Sequence, residues 1–316
     1  MRGKTGTADF AWIAAGAGLL IGFALTALYF HGDRRHAAEA AQRTRELALV
    51  DQLRIDLATS SEAEKSAVLA ISDEDSQHFA DQARTARAAV ARGRDELATL
   101  LGGAHSRLDV RERLTQLSES FTTLEKIDDE VLGLAVKNTN LKASRLAAGP
   151  AAAALEELDA ALAHLETDAA GAPSAPDALQ RVRWASDARI RALKVQALLP
   201  RHIAEESDAV MDSLEARMAE EDRALDADLA GLARLRATNG SPDLETASSA
   251  WARFAEIRGS ILALSRENTN VRSLSLSLTR KRKALLVCQE ALAALRQAIE
   301  AEPDANAPRP TPTLPR

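Results

Sequence analysis

The chain has 316 residues, 46% hydrophobic and 27% charged, with a net charge of -6. Acidic and basic side chains are interspersed, so there is no strongly basic domain to gather phosphates by counterion release, and this argues against nucleic acid as a partner. Six Phe, three Trp, one Tyr, 15 Gly and 10 Pro favour long Leu/Ala helices over sheets, and the single cysteine, Cys288, excludes an intrachain disulfide and any CxxC metal motif.

Residues 1–9 form a short N-terminal tail. From Phe10 to Phe30 the chain carries no charge, and that length spans roughly 30 Å of hydrocarbon. Phe10, Trp12, Tyr29 and Phe30 stand at the two ends of the run, as interfacial anchors do. The exit, Leu28-Tyr29-Phe30-His31, offers no small-x-small cleavage site, so residues 10–30 read as one uncleaved transmembrane helix in the lipid bilayer. Ala14, Gly18, Gly22 and Thr26 recur every four residues and make a small-residue face on which a second helix can pack; the bland reading is that Gly and Ala are simply common in membrane helices. Arg34, Arg35, Arg43 and Arg45 follow the span while only Arg2 and Lys4 precede it. That count places the bulk of the chain in the cytoplasm, although long translocated domains often override it.

Beyond Gly32 the strong breakers are Gly102-Gly103, Gly149-Pro150, the run 171–176, Pro200 and Gly240-Ser241-Pro242. The stretches between them predict helices over 34–71, 73–101, 107–137, 141–168, 177–199, 203–237, 243–267 and 271–301. Ser72, with Asp75 three residues on, resembles a capping box and marks the second start. Residues 303–316, with five prolines, read as a disordered tail.

An internal repeat is the most informative feature: residues 121–165 match residues 251–295 without a gap, at an offset of 130. Phe121 corresponds to Trp251, Leu124 to Phe254, Ile127 to Ile257 and Val131 to Ile261, and Asn138-Thr139-Asn140 recurs identically as Asn268-Thr269-Asn270. Leu155, Leu158, Leu162 and Leu165 align with Leu285, Cys288, Leu292 and Leu295, stepping by three and four like the seam of a helix bundle. The expected fold is all-α, with antiparallel four-helix bundles in tandem behind one N-terminal transmembrane helix. Its first module covers 34–168, its linker 169–176 and its second module 177–302.

The Asn-Thr-Asn element has three readings. Asn suits the residue after one helix and the cap before the next, so it can be a turn between third and fourth helices. It can also be a polar layer, because Asn268 continues the seam Ile261, Leu264 and a buried Asn sets register. Helix length favours the turn, since without it residues 242–301 would form one helix of about 90 Å. A ligand-binding role is the third.

Candidates for chemistry are sparse. His31, His36, His78, His105, His164 and His202 form no HxxxH or HExxH pair, and no phosphate loop or GxSxG elbow occurs, so no metal, cofactor or catalytic residue is assigned and an enzyme is not expected. Asp73-Glu74-Asp75, Glu205-Glu206 and Glu220-Glu221-Asp222 read as solvated helix faces, as does the basic run Arg280-Lys281-Arg282-Lys283. Cys288, on the last seam, reads as a buried inert thiol.

Taken together, the membrane helix leading into a long first helix, the four-helix pattern, and the segment from Trp251 and Phe254 through Asn268-Thr269-Asn270 to Arg272-Ser273-Leu274 resemble the sensory module of methyl-accepting chemotaxis receptors, of the HlyB-like and Tar-like kinds. The resemblance covers the anchor and most of 34–301. It implies an inner-membrane protein with its bulk in the periplasm, sensing a small-molecule ligand or a protein partner in signal transduction, with a homo-oligomer or a partner receptor to carry output. The chain departs from the family in that neither copy is followed by a second apolar run or a signalling coiled coil, so output in cis is missing from this sequence. Because such modules work as dimers, the tandem copies are expected to form a covalent pseudo-dimer. The rival is a membrane-anchored coiled-coil scaffold or docking protein that binds nothing small.

Overall fold

A computed structural model describes the backbone of residues 8–102, 107–174 and 176–301, with side chains from residue 37 onward. Ten α-helices follow in order among the described residues: α1 (Ala8–Leu69), α2 (Asp73–Leu101), α3 (Leu108–Ala135), α4 (Thr139–Leu146), α5 (Ala152–Gly171), α6 (Ala178–Ala204), α7 (Asp208–Arg234), α8 (Pro242–Glu267), α9 (Thr269–Leu276) and α10 (Arg282–Glu300). No strand occurs among them, and the all-α class holds.

The described residues include no helix long and apolar enough to cross a membrane. The expected span 10–30 and its packing face Ala14, Gly18, Gly22 and Thr26 lie outside the residues whose side chains are described, as does the tail 303–316.

Local chemistry explains most boundaries. Ser72 accepts the Asp75 N–H at 3.0 Å and donates its hydroxyl to Asp75 Oδ2 at 2.7 Å, which closes the N-terminus of α2. Pro242 opens α8, where its missing N–H costs nothing, and Gly240 supplies the positive φ of 72° just before it. Pro200 does not end its helix: α6 runs on to Ala204, because Leu199, His202 and Ile203 are buried and hold the last turn on the core.

Two π-helical turns interrupt the regular helices, at Ala147–Ala151 between α4 and α5 and at Ser277–Lys281 between α9 and α10. They lie 130 residues apart, the offset of the repeat. Gly149 and Pro150 fall in the first, yet the second contains neither residue, so the packing at this level and not the proline sets the turn.

The chain divides into two compact units. One takes the described residues up to Ala58, Ala86–Thr122 and Leu286 onward; the other takes Thr59–Thr85 and Thr123–Leu285. This division does not follow the expected modules 34–168 and 177–302, and α5 extends to Gly171, into the expected linker. The physical reason lies in the last helix of each copy. Within the second unit α5 packs against α6 and α8, and its Leu155, Leu158, Leu162 and Leu165 share a core with Ala185, Leu199, Leu214, Leu225, Phe254 and Ile261 of α6, α7 and α8. Reciprocally, Leu276 of α9 and Ala284 of α10 cluster with Val68 of α1 and Ile127, Val131 and Ala135 of α3. Each copy therefore lends its last helix to the other copy's three. In the first unit, taken by itself, Cys288 and Leu292 of α10 likewise face Leu53, Leu57, Val90 and Leu117 of α1, α2 and α3.

Candidate functional site

All six residues of the repeated Asn-Thr-Asn element meet at one place in the second unit. Asn138 and Asn268 are the two non-glycine residues with positive φ among the described residues, at 52° and 53°, a left-handed conformation that Asn tolerates better than other side chains. Each ends one helix and starts the next. Around them the hydrogen bonds are reciprocal: the Thr139 N–H donates to Thr269 Oγ1 at 3.2 Å, and the Thr269 N–H to Thr139 Oγ1 at 3.1 Å. The Asn140 N–H donates to Asn270 Oδ1 and the Asn270 N–H to Asn140 Oδ1, both at 3.1 Å. Asn140 Nδ2 reaches Asn268 Oδ1 at 2.7 Å while Asn270 Nδ2 reaches Asn138 Oδ1 at 2.9 Å. The result is a polar layer with local two-fold symmetry between the two copies.

The element is thus a break and a polar layer together. The helices on its two sides join different clusters, Ile127, Val131 and Ala135 on one side and Ala143, Leu155 and Leu158 on the other. A hairpin would have put both in one core, so the left-handed residue steps the chain from one core to the next. The symmetry is broken at two amides: Asn140 Nδ2 also donates to the Ile203 carbonyl at 2.6 Å. Asn268 Nδ2 donates to the Glu205 carbonyl at 2.7 Å, whereas Asn138 Nδ2, wholly buried, has no hydrogen-bond partner.

Sequence reasoning missed two buried polar clusters beside this layer. Lys281, placed above in a solvated basic run, is almost wholly buried at the end of the second π turn. Its ammonium donates to Glu64 Oε2 at 2.5 Å and Ser61 Oγ at 3.2 Å, and lies 3.7 Å from Asp128 Oδ1. Both carboxylates are buried, and Glu64 Oε1 has no hydrogen-bond partner. The second cluster centres on His202, wholly buried near the end of α6. His202 Nδ1 and Ser265 Oγ are 2.8 Å apart, as are His202 Nε2 and Glu215 Oε1, and the Ser265 hydroxyl also donates to the His202 carbonyl at 2.9 Å. Arg266 donates to Glu215 Oε1 at 2.8 Å and Asp212 Oδ1 at 2.5 Å, and with His202 it holds the Glu215 carboxyl below its ordinary range. The Ser-His-Glu order resembles a hydrolytic relay, but Ser265 and His202 are both fully enclosed, so no substrate carbonyl reaches the hydroxyl.

A spacing signal could have found both clusters. Val50, Leu53, Leu57, Ser60, Glu64 and Ala67 step by three and four along α1, as Ala185, Ala188, Ala192, Val195, Leu199 and His202 do along α6, and all are buried. Lys281 stands seven residues before Cys288 on the α10 seam. A charge on a seam is buried by the helix that carries it.

The other candidates fall elsewhere. His78 accepts or donates one exposed contact with Gln82, and His164 lies 3.5 Å from Asp243 at the surface; His31, His36 and His105 lie outside the described side chains. Asp222 is not a solvated residue: Arg258 grips it with two bonds of 2.5 and 2.6 Å and lies over the Trp251 and Phe254 rings. Glu205 Oε1 accepts the N–H groups of Glu206 and Ser207 and so caps the approach to α7. Cys288 is buried. Among the described residues no three His, Cys, Asp or Glu side chains are placed to hold a metal ion. In the first unit an open groove of about 350 Å³ runs between α1 and α10, lined by Val50, Leu57, Leu292 and Ala293 together with Arg54 and the ion-paired Asp51 and Arg296. In comparisons with known proteins, no family model and no curated protein matches the chain.

Proposed function

We propose that the chain is a single-pass, membrane-anchored protein whose bulk lies in the periplasm and acts as a chemoreceptor-like sensory module, binding a small ligand or a protein partner in signal transduction. In this reading α5 to α8 form one antiparallel four-helix bundle and α1, α2, α3 and α10 the other. The observation that carries the proposal is the pair of symmetric helix breaks. A left-handed step followed by a π turn occurs on each of the two repeat segments, and such irregular segments let a helix shift by small increments where a regular one is stiff. The groove between α1 and α10, with apolar lining residues beside the Asp51–Arg296 ion pair, has the character of a site for a small amphipathic ligand.

A docking scaffold is the second reading, favoured by one observation. Leu179, Ile190 and Leu193 of α6 are 84%, 50% and 57% exposed, apolar surface on which a partner helix can dock.

Topology is the test. A C-terminal tag on the full chain should be cleaved by external protease in spheroplasts before the inner membrane is broken. Protection of the tag would overturn periplasmic sensing and leave the scaffold. If the tag is cleaved, a ligand screen by thermal shift separates the two readings, because specific binding to the native state must raise the melting temperature.

A further inference from the structure

The exchange of last helices raises a question of choice. Copies related by a local two-fold could equally pair like with like, joining the first half of one chain to the first half of another. Position by position, at the offset of 130, Lys281 corresponds to Ala151 and Asp128 to Arg258. Ala151 is buried in the core of α5 to α8, where Arg258 is committed to Asp222. Lys281 is buried where α1 and α3 supply Glu64, Ser61 and Asp128.

We propose that the Lys281, Glu64, Asp128 cluster is a pairing key, which selects the second half of the chain as the partner of the first half and rejects a second copy of the same half. The physical basis is that a buried charge costs far more when its partner is missing than the pair contributes when both are present. In a pairing of two first halves, Ala151 would stand where Lys281 now does. The Glu64 carboxylate, whose Oε1 already has no hydrogen-bond partner, would then lose its ammonium as well. In a pairing of two second halves, Lys281 would enter a core that presents Arg258 in place of Asp128. Both wrong pairings leave buried charges without an opposite partner, whereas the correct one sets the Lys281 ammonium against the Glu64 and Asp128 carboxylates. The reciprocal bonds of the Asn-Thr-Asn layer, identical in the two copies, do not discriminate, since they form equally well in any pairing. Registry is thus set by charged positions at which the copies differ, much as a polar seam residue sets partner choice in coiled coils.

The test uses the full chain in detergent, with a protease site placed in the exposed connection at 172–174. After cutting, the halves should co-elute as a 1:1 pair until denaturant is added; separation on cutting alone would overturn the intertwined packing on which the proposal rests. After unfolding and refolding of the cut wild type, native mass spectrometry should find only the mixed pair. Lys281→Ala should lower the ratio of mixed to like pairs by at least about tenfold, the equivalent of about 1.4 kcal/mol. The apolar triple variant Lys281→Met, Glu64→Leu, Asp128→Leu, which keeps side-chain volume without charge, should show the same loss of selection. Mixed pairs alone from either variant would refute the key.

Discussion

Asn138 and Asn268 share a backbone conformation but not a hydrogen-bond count, and that difference is measurable. Replacing Asn268 with Gly keeps the left-handed backbone but leaves the Glu205 carbonyl and one Asn140 N–H without their partners. At about 1–2 kcal/mol for each group so abandoned, the loss should be about 2–4 kcal/mol. Asn138→Gly abandons one N–H of Asn270 and at the same time removes a buried Nδ2 that had no partner. Its loss should be smaller by about 1–2 kcal/mol. The added flexibility of glycine in the unfolded chain enters both variants alike and cancels in the comparison. Alanine at either position should cost a further 1–2 kcal/mol or so, because its Cβ clashes in the left-handed region. Urea unfolding of the full chain, followed by circular dichroism at 222 nm, gives all four values. Equal losses for the two glycine variants would refute the asymmetry of the layer, and equal losses for Gly and Ala at one site would refute its left-handed backbone.

Further outcomes follow from packing and charge. A Cβ on Gly231 would stand 2.9 Å from two ring atoms of Trp184, so Gly231→Ala should destabilise by about 1–3 kcal/mol in thermal melts. Gly133→Ala, with nothing within 4 Å, should instead stabilise the exposed face of α3 by about 0.5–1 kcal/mol. Equal effects at the two glycines would contradict the packing. Glu215 titrates below its ordinary value of 4.5 in the fold, through Arg266 first and then His202. Its contribution to stability is therefore present above that value and is lost as pH falls through the folded one. The melting-temperature difference between wild type and Glu215→Gln should shrink as pH falls from 7 to 3; a constant difference would count against the Arg266–Glu215–His202 arrangement.

Much of this arrangement was legible residue by residue. The helix start at Ser72, the break before α8, the seams of α5 and α10, and the repeat at offset 130 all reappear in the structure, down to the matched π turns. What misled at Lys281 was the assumption that charge means solvent. Lys281, Glu64, Asp128 and His202 all lie at seam spacing and are buried. Periodicity was the better guide, because the helix decides which way a side chain points before its polarity is accommodated.

Local sequence determines helix content, breaks and the buried stripe of each helix, since capping, backbone strain and the 3.6-residue period act within a few residues. It does not determine which stripe meets which. The seams of α5 and α10 are nearly alike, and either could have closed a bundle with its own copy's helices. Only the tertiary structure shows that each crosses to the other copy, because that choice depends on partners far apart in the chain: Lys281 with Glu64, 217 residues away, and Thr139 with Thr269, 130 away.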